Sequence, residues 1–149
     1  MGLGPWLAAA IAAGLAIGAY GVPLPSLLQP ASAPVRASFS YCHTGGGTNC
    51  VVDGDTFYLS GEKVRIAGID APETHPPRCD YEAQLGEEAT EKLHDLLNSG
   101  AVTMTSIDRD RDVYGRLLRN VAVDGADVGE AMVSAGVARE YAGGRRPWC

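Results

Sequence analysis

The sequence predicts a small α+β domain in which five short strands form a barrel and two helices cover it. Two observations carry this prediction: the β-type runs are short and bounded by turn residues, and the two helical runs do not alternate strictly with them. The length of 149 residues suits one such domain with a targeting segment, which disfavours repeat arrays and multi-span transporters. Hydrophobic residues make up 46% and charged residues 20%, a globular composition that excludes wholesale disorder.

The β-type runs are five to seven residues long, and the third has β-branched side chains at positions 64, 66 and 69. The runs that we predict as strands are Asn49–Asp53, Thr56–Ser60, Lys63–Ile69, Ala101–Ile107 and Leu117–Val123. Gly61-Glu62 suits a two-residue type II′ turn, which makes the second and third runs a hairpin with Ser60 opposite Lys63. This register places acidic residues together at one end of the hairpin, with Asp55 opposite Gly68 and Asp53 opposite Asp70.

Two segments show helical periodicity. Residues 82–99 are predicted as a helix whose apolar stripe consists of Ala89, Leu93, Leu96 and Leu97. Gly86 weakens its beginning, so the regular helix is expected to start after that residue. Asp127 is a suitable N-cap for a second helix, Val128–Ala135, which Gly136 ends.

The beginning of the chain is predicted as a targeting segment. Residues 1–35 carry no charged side chain, and the run from Leu3 to Val22 is almost entirely apolar. About 20 such residues suffice to cross a hydrocarbon core of ~30 Å. Because the run has no polar face, a buried core helix is disfavoured, and we interpret residues 1–22 as a signal peptide or a membrane anchor.

The choice between these two alternatives stays open. Ala31-Ser32-Ala33 fits a peptidase pattern, but Pro34 follows it and a basic segment at the start is missing. Residues 23–37 are rich in Pro, Ala and Ser and are predicted as an extended, poorly ordered linker, and residues 38–149 as the folded domain. Either alternative implies an exported domain that is secreted, periplasmic or anchored in the membrane facing outward.

The four cysteines agree with export. Their number is even and all follow the apolar segment, so disulfides are expected in an oxidising compartment. Zinc is disfavoured because no CxxC or HxxxH spacing is present. Of the three possible connectivities we predict Cys42–Cys50, which closes a glycine-rich loop, and Cys79–Cys149.

The charge balance limits the ways in which the chain binds a polyanion. It has 12 basic and 18 acidic residues, a net charge of −6 at pH 7. This disfavours a protein that coats nucleic acid through general basicity. A polyanionic substrate must therefore be held by a local positive patch or by a bound metal.

Three stretches together indicate phosphodiester chemistry, although each alone fits an ordinary turn or strand end. They are Val51–Phe57, Val64–Thr74 and Asp112–Arg116. Asp55 and Asp70 are predicted at one end of the hairpin beside the carbonyl of Ala71, and these oxygens are the ligands that a hard divalent cation prefers. Glu73 follows within reach of the water shell of such an ion.

Two arginines in these stretches complete the set. Arg65 and Arg116 offer rigid forked donors for phosphate oxygens. A metal, a base and a pair of guanidinium groups are what phosphodiester hydrolysis requires. In the predicted register Asp55 and Arg65 lie on opposite faces, so one site holds both only if the strand bends or bulges near Gly54 or Gly68.

In this order and spacing the three stretches resemble the thermonuclease family, the staphylococcal nuclease-like enzymes, from about Cys50 to Tyr141. The resemblance implies an OB-type five-stranded barrel with two to three helices. It also implies Ca²⁺-dependent hydrolysis of DNA and RNA with little sequence preference, leaving 3′-phosphates. We expect a monomer that takes these nucleic acids as substrates and meets a membrane only through the possible anchor.

The resemblance assigns roles to residues at matching positions. It implies that Asp55, Asp70 and the carbonyl of Ala71 bind Ca²⁺ and that Glu73 is the general base. It also implies that Arg65 and Arg116 bind the scissile phosphate, and that Tyr114 and Tyr141 contact neighbouring phosphates. Val113 stands where the family has a phosphate-contacting lysine, so weaker substrate binding is expected.

Two other classes of function remain as alternatives. An OB barrel of this lineage can lose catalysis and keep a nucleic-acid-binding surface. The domain could also be a disulfide-linked structural protein of the cell envelope. We favour the enzyme because both arginines and all three carboxylates of the resemblance are present, and metal-dependent nuclease activity separates it from both alternatives.

Overall fold

The computed structural model describes residues 30–43 and 46–149. The predicted signal peptide or anchor, residues 1–22, and residues 23–29 of the predicted linker lie outside the described residues. Within the described ranges, no helix is long and apolar enough to cross a membrane.

The described chain contains nine short strands and two helices. In chain order the elements are β1 (Ser40–Tyr41), β2 (Cys50–Asp53), β3 (Thr56–Leu59), β4 (Glu62–Ile66), β5 (Ile69–Asp70), α1 (Asp80–Asn98), β6 (Val102–Arg111), β7 (Leu117–Val123), β8 (Ala126–Asp127), α2 (Val128–Ser134) and β9 (Arg139–Glu140). The five predicted strands correspond to β2, β3, β4 with β5, β6 and β7.

Most of the strands form one mixed sheet, and the fold also contains the two helices. The order of the sheet is β1-β2-β3-β4-β7-β6, with β8 added to β7, and β5 pairs separately with β9. The β1–β2 and β4–β7 pairs are parallel and the others are antiparallel. This β-rich arrangement confirms the predicted α+β fold class and is consistent with an OB-type fold.

The core lies between the sheet and the apolar face of α1. Phe57 is fully buried and meets Phe39 edge-to-face, with ring centroids 5.9 Å apart. From the helices, the core receives the fully buried side chains of Ala89, Leu93, Leu97 and Met132. Val35, near the end of the predicted linker, exchanges backbone hydrogen bonds of 2.8 Å with Val102 of β6. The expected poor order is therefore wrong for this end of the linker, which packs on the domain.

Helix α1 begins at Asp80, six residues before Gly86. The prediction that the regular helix starts only after Gly86 is therefore wrong. Gly86 is buried, and a Cβ at this position would lie 2.8 Å from Cγ2 of Thr74. The helix therefore keeps a residue of low helix propensity because the loop that follows β5 packs closely against it. The second helix begins as predicted, since the Asp127 side chain accepts a hydrogen bond from Glu130 N and caps it.

The β3–β4 hairpin turns one residue earlier than predicted. The two turn residues are Ser60 and Gly61, with φ values of 54° and 84°, and Leu59 pairs with Glu62. Positive φ at both turn positions is the geometry of a type I′ turn. The predicted type II′ turn, with Ser60 opposite Lys63, is therefore wrong.

Contacts from the preceding loop favour the observed turn. The Asn49 side chain accepts a hydrogen bond of 2.8 Å from Ser60 N, and the Thr48 carbonyl accepts one of 2.9 Å from Gly61 N. These bonds stabilise Ser60 in a conformation that a sequence pattern does not favour. The two predicted acidic pairings are consequently wrong as well: Asp53 opposite Asp70 and Asp55 opposite Gly68.

Both disulfides form with the predicted pairing. Cys42 is bonded to Cys50, and Cys79 is bonded to Cys149. The first closes the loop that precedes β2. The second joins the residue before α1 to the end of the chain, which brings the last residues back to the middle of the fold.

Gly54 allows the turn between β2 and β3 to lie directly against two other segments. A Cβ at this position would lie 2.5 Å from Cβ of Ala89 in α1 and 2.9 Å from Cβ of Ala71 after β5. Only glycine permits approaches this close without a shift of backbone. The turn, the helix and the loop after β5 therefore converge at Gly54.

We predict that Gly54→Ala lowers the free energy of unfolding by about 1–3 kcal/mol, because the added methyl overpacks this convergence. Urea denaturation measures the effect. Gly144→Ala is the control, since a Cβ there meets no atom within 4 Å, and it should stay within about 0.5 kcal/mol of the parent. Equal stabilities for the two variants would contradict the close packing at Gly54.

Candidate active site

Asp55 lies in the turn between β2 and β3 and is 5% exposed. Its Oδ2 accepts hydrogen bonds from Arg65 Nη2 at 3.1 Å and from Ala71 N at 3.3 Å. Its Oδ1 accepts one from Thr56 Oγ1 at 2.8 Å. One buried carboxylate thus joins the strand after the turn, the opposite strand and the loop after β5.

Arg65 reaches Asp55 although a regular ladder would separate them. Asp55 lies in the turn before β3, and β4 ends at Ile66, so both residues are at the end of the hairpin where the chain leaves the ladder. The guanidinium also donates to the carbonyls of Ile66 and Ile69, both at 3.1 Å. These bonds hold the side chain at the strand end. The irregularity that the sequence required near Gly54 is found as a shift of register between Val51 and Asp53 of β2.

Asp70 is 3% exposed and forms its ion pair with an arginine from the end of the fold. Arg139 donates from Nε at 3.2 Å and from Nη2 at 2.9 Å, both to Oδ2 of Asp70. The two residues face each other in the β5–β9 pair. Sequence reasoning missed Arg139, because no local motif marks a pairing between strands so far apart in the chain.

Glu73 lies in the loop after β5 with its side chain 28% exposed, and Arg145 Nη1 is 3.1 Å from its Oε2. Burial lowers the pKa of Arg145, but the hydrogen bond and charge of Glu73 outweigh it and raise the pKa overall. The charges of Asp70 and Asp55 add to this rise. Arg145 therefore lies in the field of all three predicted site carboxylates.

Glu82 holds the loop that carries Glu73. It is 2% exposed in the first turn of α1, and its oxygens accept hydrogen bonds from Glu73 N at 3.4 Å and Arg78 N at 2.6 Å. Such charge-assisted bonds satisfy backbone groups and fix the loop before the helix. Sequence reasoning missed Glu82, for which the available signal was a glutamate at the third position of the helix.

Arg116 joins the third stretch to the same site. Asp112 accepts a hydrogen bond of 2.6 Å from Arg116 Nε, and Arg116 Nη1 lies 3.4 Å from Thr56 Oγ1. Partial burial raises the pKa of Asp112, but hydrogen bonds from Arg116 and from the Tyr114 backbone lower it overall. A chain of contacts therefore runs from Asp112 through Arg116 and Thr56 to Asp55.

Each predicted tyrosine lies beside one of the two predicted catalytic arginines. Tyr114 is 80% exposed, and the Arg116 guanidinium is 5.4 Å from its ring centroid. Tyr141 is also exposed, and the Arg65 guanidinium is 5.8 Å from its ring centroid. Both rings extend the charged site toward solvent.

Asp53 adds a further carboxylate that the predicted site set did not contain. Burial, then the charge of Asp55 and that of Glu73, raise the pKa of Asp53 from 3.8 to about 7. Negative charge is thus crowded around the turn between β2 and β3 in spite of the neighbouring arginines. A cation bound there would relieve that crowding.

The donor set fits a hard cation that completes its shell with other oxygens. Within residues 30–43 and 46–149, no three His, Cys, Asp or Glu side chains form a cluster suited to hold a metal. The predicted set consists of Asp55 and Asp70 with the Ala71 carbonyl, which requires water for the remaining positions. Two carboxylates and otherwise neutral oxygens suit Ca²⁺ at modest affinity.

We predict that Asp53→Asn makes the metal-free protein less sensitive to pH. Between about pH 4 and 7 folded Asp53 keeps a proton that the unfolded chain releases, so stability falls as pH rises through this range. The asparagine removes the titration but can still accept the hydrogen bond from Asp55 N. Thermal unfolding in chelator across this range should give a flatter profile.

Asp108→Asn, at an exposed position of β6, is the control and should retain the slope of the parent. If Asp53→Asn and the parent show parallel profiles, Asp53 does not hold a proton in the folded state.

Comparison with known proteins identifies the family. A sequence model described as staphylococcal nuclease homologue matches residues 63–147, more than half of the chain. This range includes Arg65, Asp70, Glu73 and Arg116, and Asp55 precedes it.

Three relatives illustrate the similarity. "Endonuclease YncB" of Bacillus subtilis (strain 168) is 40% identical over 93 residues, which are 59% of this chain and 44% of the relative. "SPbeta prophage-derived endonuclease YokF" of the same strain is 40% identical over 93 residues, 59% of this chain and 31% of the relative. "Succinoglycan biosynthesis protein ExoI" of Rhizobium meliloti (strain 1021) is 31% identical over 94 residues, which are 60% of this chain and 49% of the relative.

The chain spans less than half the length of each of these relatives. The family match and the fold are nevertheless consistent over the domain that carries the site. The chain belongs to the staphylococcal nuclease homologue family.

Proposed function

We propose that the chain is an exported, Ca²⁺-dependent nuclease that hydrolyses phosphodiester bonds of DNA and RNA with little sequence preference and leaves 3′-phosphates. Two relatives carry the name endonuclease, which supports the reaction class. The single observation that carries the proposal is the contact chain Arg116–Thr56–Asp55–Arg65. It supports one reaction centre made from three separate stretches.

The proposed metal ligands are the carboxylates of Asp55 and Asp70 and the carbonyl oxygen of Ala71. When bound, Ca²⁺ supplies positive charge that polarises the phosphate. The hydrogen bond from Ala71 N to Asp55 holds the loop after β5 beside the turn. This contact supports a shared site for the two carboxylates, which lie in different elements.

The two arginines are proposed to hold the scissile phosphate. Each already has a carboxylate partner, Asp55 for Arg65 and Asp112 for Arg116, which orients the guanidinium without occupying all of its donors. The free donors neutralise charge that grows on the phosphoryl oxygens during attack. Arg116 also assists departure of the 5′ oxygen.

Glu73 is proposed as the general base. Its side chain is partly exposed, so water reaches it, and Glu82 fixes its loop. Its carboxylate accepts a proton from the attacking water, which then attacks phosphorus in line with the leaving oxygen. Tyr114 and Tyr141 are proposed to contact neighbouring phosphates.

Two disulfides support an oxidising location for the domain. We therefore propose that the domain is secreted, periplasmic or anchored in the membrane facing outward. We also propose that it acts as a monomer. Residues 1–22 would serve as the signal peptide or anchor and residues 23–37 as the linker.

We predict that the purified protein cleaves DNA in millimolar Ca²⁺ and that excess chelator abolishes the cleavage. Glu73→Gln should lower turnover by roughly 10²-fold or more while Ca²⁺ binding, measured by calorimetry, changes little. Glu87→Gln, the same chemical change at an exposed position of α1, is the control and should cleave like the parent.

Asp55→Asn should differ, since it weakens Ca²⁺ binding itself and excess Ca²⁺ should restore part of the activity. If Glu73→Gln retains full turnover, the general base lies elsewhere. If the parent binds nucleic acid without cleaving it in any metal, the domain is a binding module and the nuclease proposal fails.

A further inference from the structure

The last residues of the chain return to the candidate active site as an ordered arm. Residues 142–149, here called the C-terminal arm, contain no helix or strand. The Cys79–Cys149 disulfide fixes the end of the arm. Arg139 holds its middle, because it donates to the carbonyls of Pro147 at 3.2 Å and of Arg146.

A stacking contact adds to this attachment. The Arg139 guanidinium lies 3.9 Å from the ring centroid of Trp148, and the same guanidinium is paired with Asp70. Asp70, Glu73 and Trp148 line a narrow cavity to which Arg145 and Arg146 also contribute, but of these two arginines only Arg145 forms an ion pair with a carboxylate among the described residues. The backbone of the arm is therefore held at the site by several contacts, from two directions.

The Arg145 side chain differs from this firmly held backbone. It is 53% exposed, compared with 12% for Arg65 and 21% for Arg139, and its carboxylate contact is a single bond from Nη1 to Glu73. An ion pair with so much solvent contact adds little to stability. The guanidinium can therefore exchange this carboxylate for another anion at small cost.

The position of Arg145 also suits an anionic ligand rather than a structural role. A nucleic acid backbone that approaches the candidate active site meets the negative charges of Asp55, Asp70 and Glu73. Arg145 is an exposed cation beside them, and its forked donors match phosphate oxygens. An exposed guanidinium on a disulfide-held backbone is a pre-organised phosphate ligand, which loses less entropy on binding than one on a mobile tail.

We propose that Arg145 is a third substrate-binding arginine, which the C-terminal arm places beside Glu73 to bind a phosphate of the nucleic acid backbone. On binding, the guanidinium leaves Glu73 Oε2 for a phosphate oxygen, which frees the carboxylate to accept the proton of the attacking water. This role rests on the proposed nuclease function and assigns the arm a part in it.

The first test compares Arg145→Ala with Arg146→Ala in the full chain. Both variants remove one positive charge from the arm, and Arg146 is exposed, so the change in net charge is matched. In Ca²⁺, Arg145→Ala should raise KM for single-stranded DNA about 10-fold and change kcat less than about 3-fold, the pattern of lost substrate binding. Arg146→Ala should stay within about 2-fold in both constants.

A binding measurement separates this role from turnover. Fluorescence anisotropy with a labelled, cleavage-resistant phosphorothioate oligonucleotide in Ca²⁺ should show about 10-fold weaker binding for Arg145→Ala. The slope of log K against log salt should fall by about 0.7–1, the loss of one phosphate contact. Because this probe is not hydrolysed, the result tests Arg145 even if the parent proves to be a binding module.

The disulfide provides an independent variant. Cys79→Ser/Cys149→Ser should raise KM in the same direction as Arg145→Ala, and adding Arg145→Ala to it should raise KM by less than the product of the two separate effects. Cys42→Ser/Cys50→Ser, which opens the other disulfide, is the control and should retain the parent KM. Circular dichroism establishes whether each variant is folded. If a double cysteine variant does not fold, the single Arg145→Ala variant decides the case.

Two results would overturn the proposal. If Arg145→Ala and Arg146→Ala bind and cleave alike, Arg145 has no specific contact with substrate. If Arg145→Ala cleaves faster than the parent, the arm blocks Glu73 instead of serving the substrate. A parent that neither binds the oligonucleotide nor cleaves DNA overturns the nuclease function and this role together.

Discussion

The Asp55 carboxylate is the interaction on which the site depends. It is buried in a tight turn, where it accepts hydrogen bonds from Thr56, Arg65 and the backbone of Ala71. A buried carboxylate is costly unless such partners satisfy it, so the three segments must meet for the domain to fold. Gly54 makes the meeting possible, because only a residue without a side chain lets the turn lie against α1 and the loop after β5.

The charges around this turn show why one end of a net acidic domain can serve a polyanion. Asp55, Asp70 and Glu73 each have a guanidinium partner, which comes from β4, from β9 and from the C-terminal arm respectively. The pairing limits repulsion among carboxylates, while burial and, after it, the charges of Asp55 and Glu73 raise the pKa of Asp53. The same arrangement leaves the guanidinium of Arg145 at the surface, so a favourable contact with phosphate does not require general basicity.

The sequence predicts the locally determined parts of this structure well. The strand Leu117–Val123 and the Asp127 cap of α2 depend on residues close in the chain, and both are found as predicted. The hairpin register is wrong because Asn49, outside the hairpin, favours a turn with Ser60 in the left-handed region. The ion pairs of Arg139 and Arg145 could not be predicted, since they follow from a distant strand pair and from the course of the arm. The roles proposed for the site residues rest on their resemblance to the family and on the geometry described above.

The central claim is that the three stretches form one metal-dependent reaction centre. A crystal structure of the protein soaked in Ca²⁺, with the ion located by anomalous scattering, tests it most directly. The account predicts one ion with the Asp55 and Asp70 carboxylates and the Ala71 carbonyl among its ligands, at about 2.3–2.6 Å. An ion bound elsewhere, or no ion at a Ca²⁺ concentration that supports cleavage, with the Arg139–Asp70 pair unchanged, would contradict it.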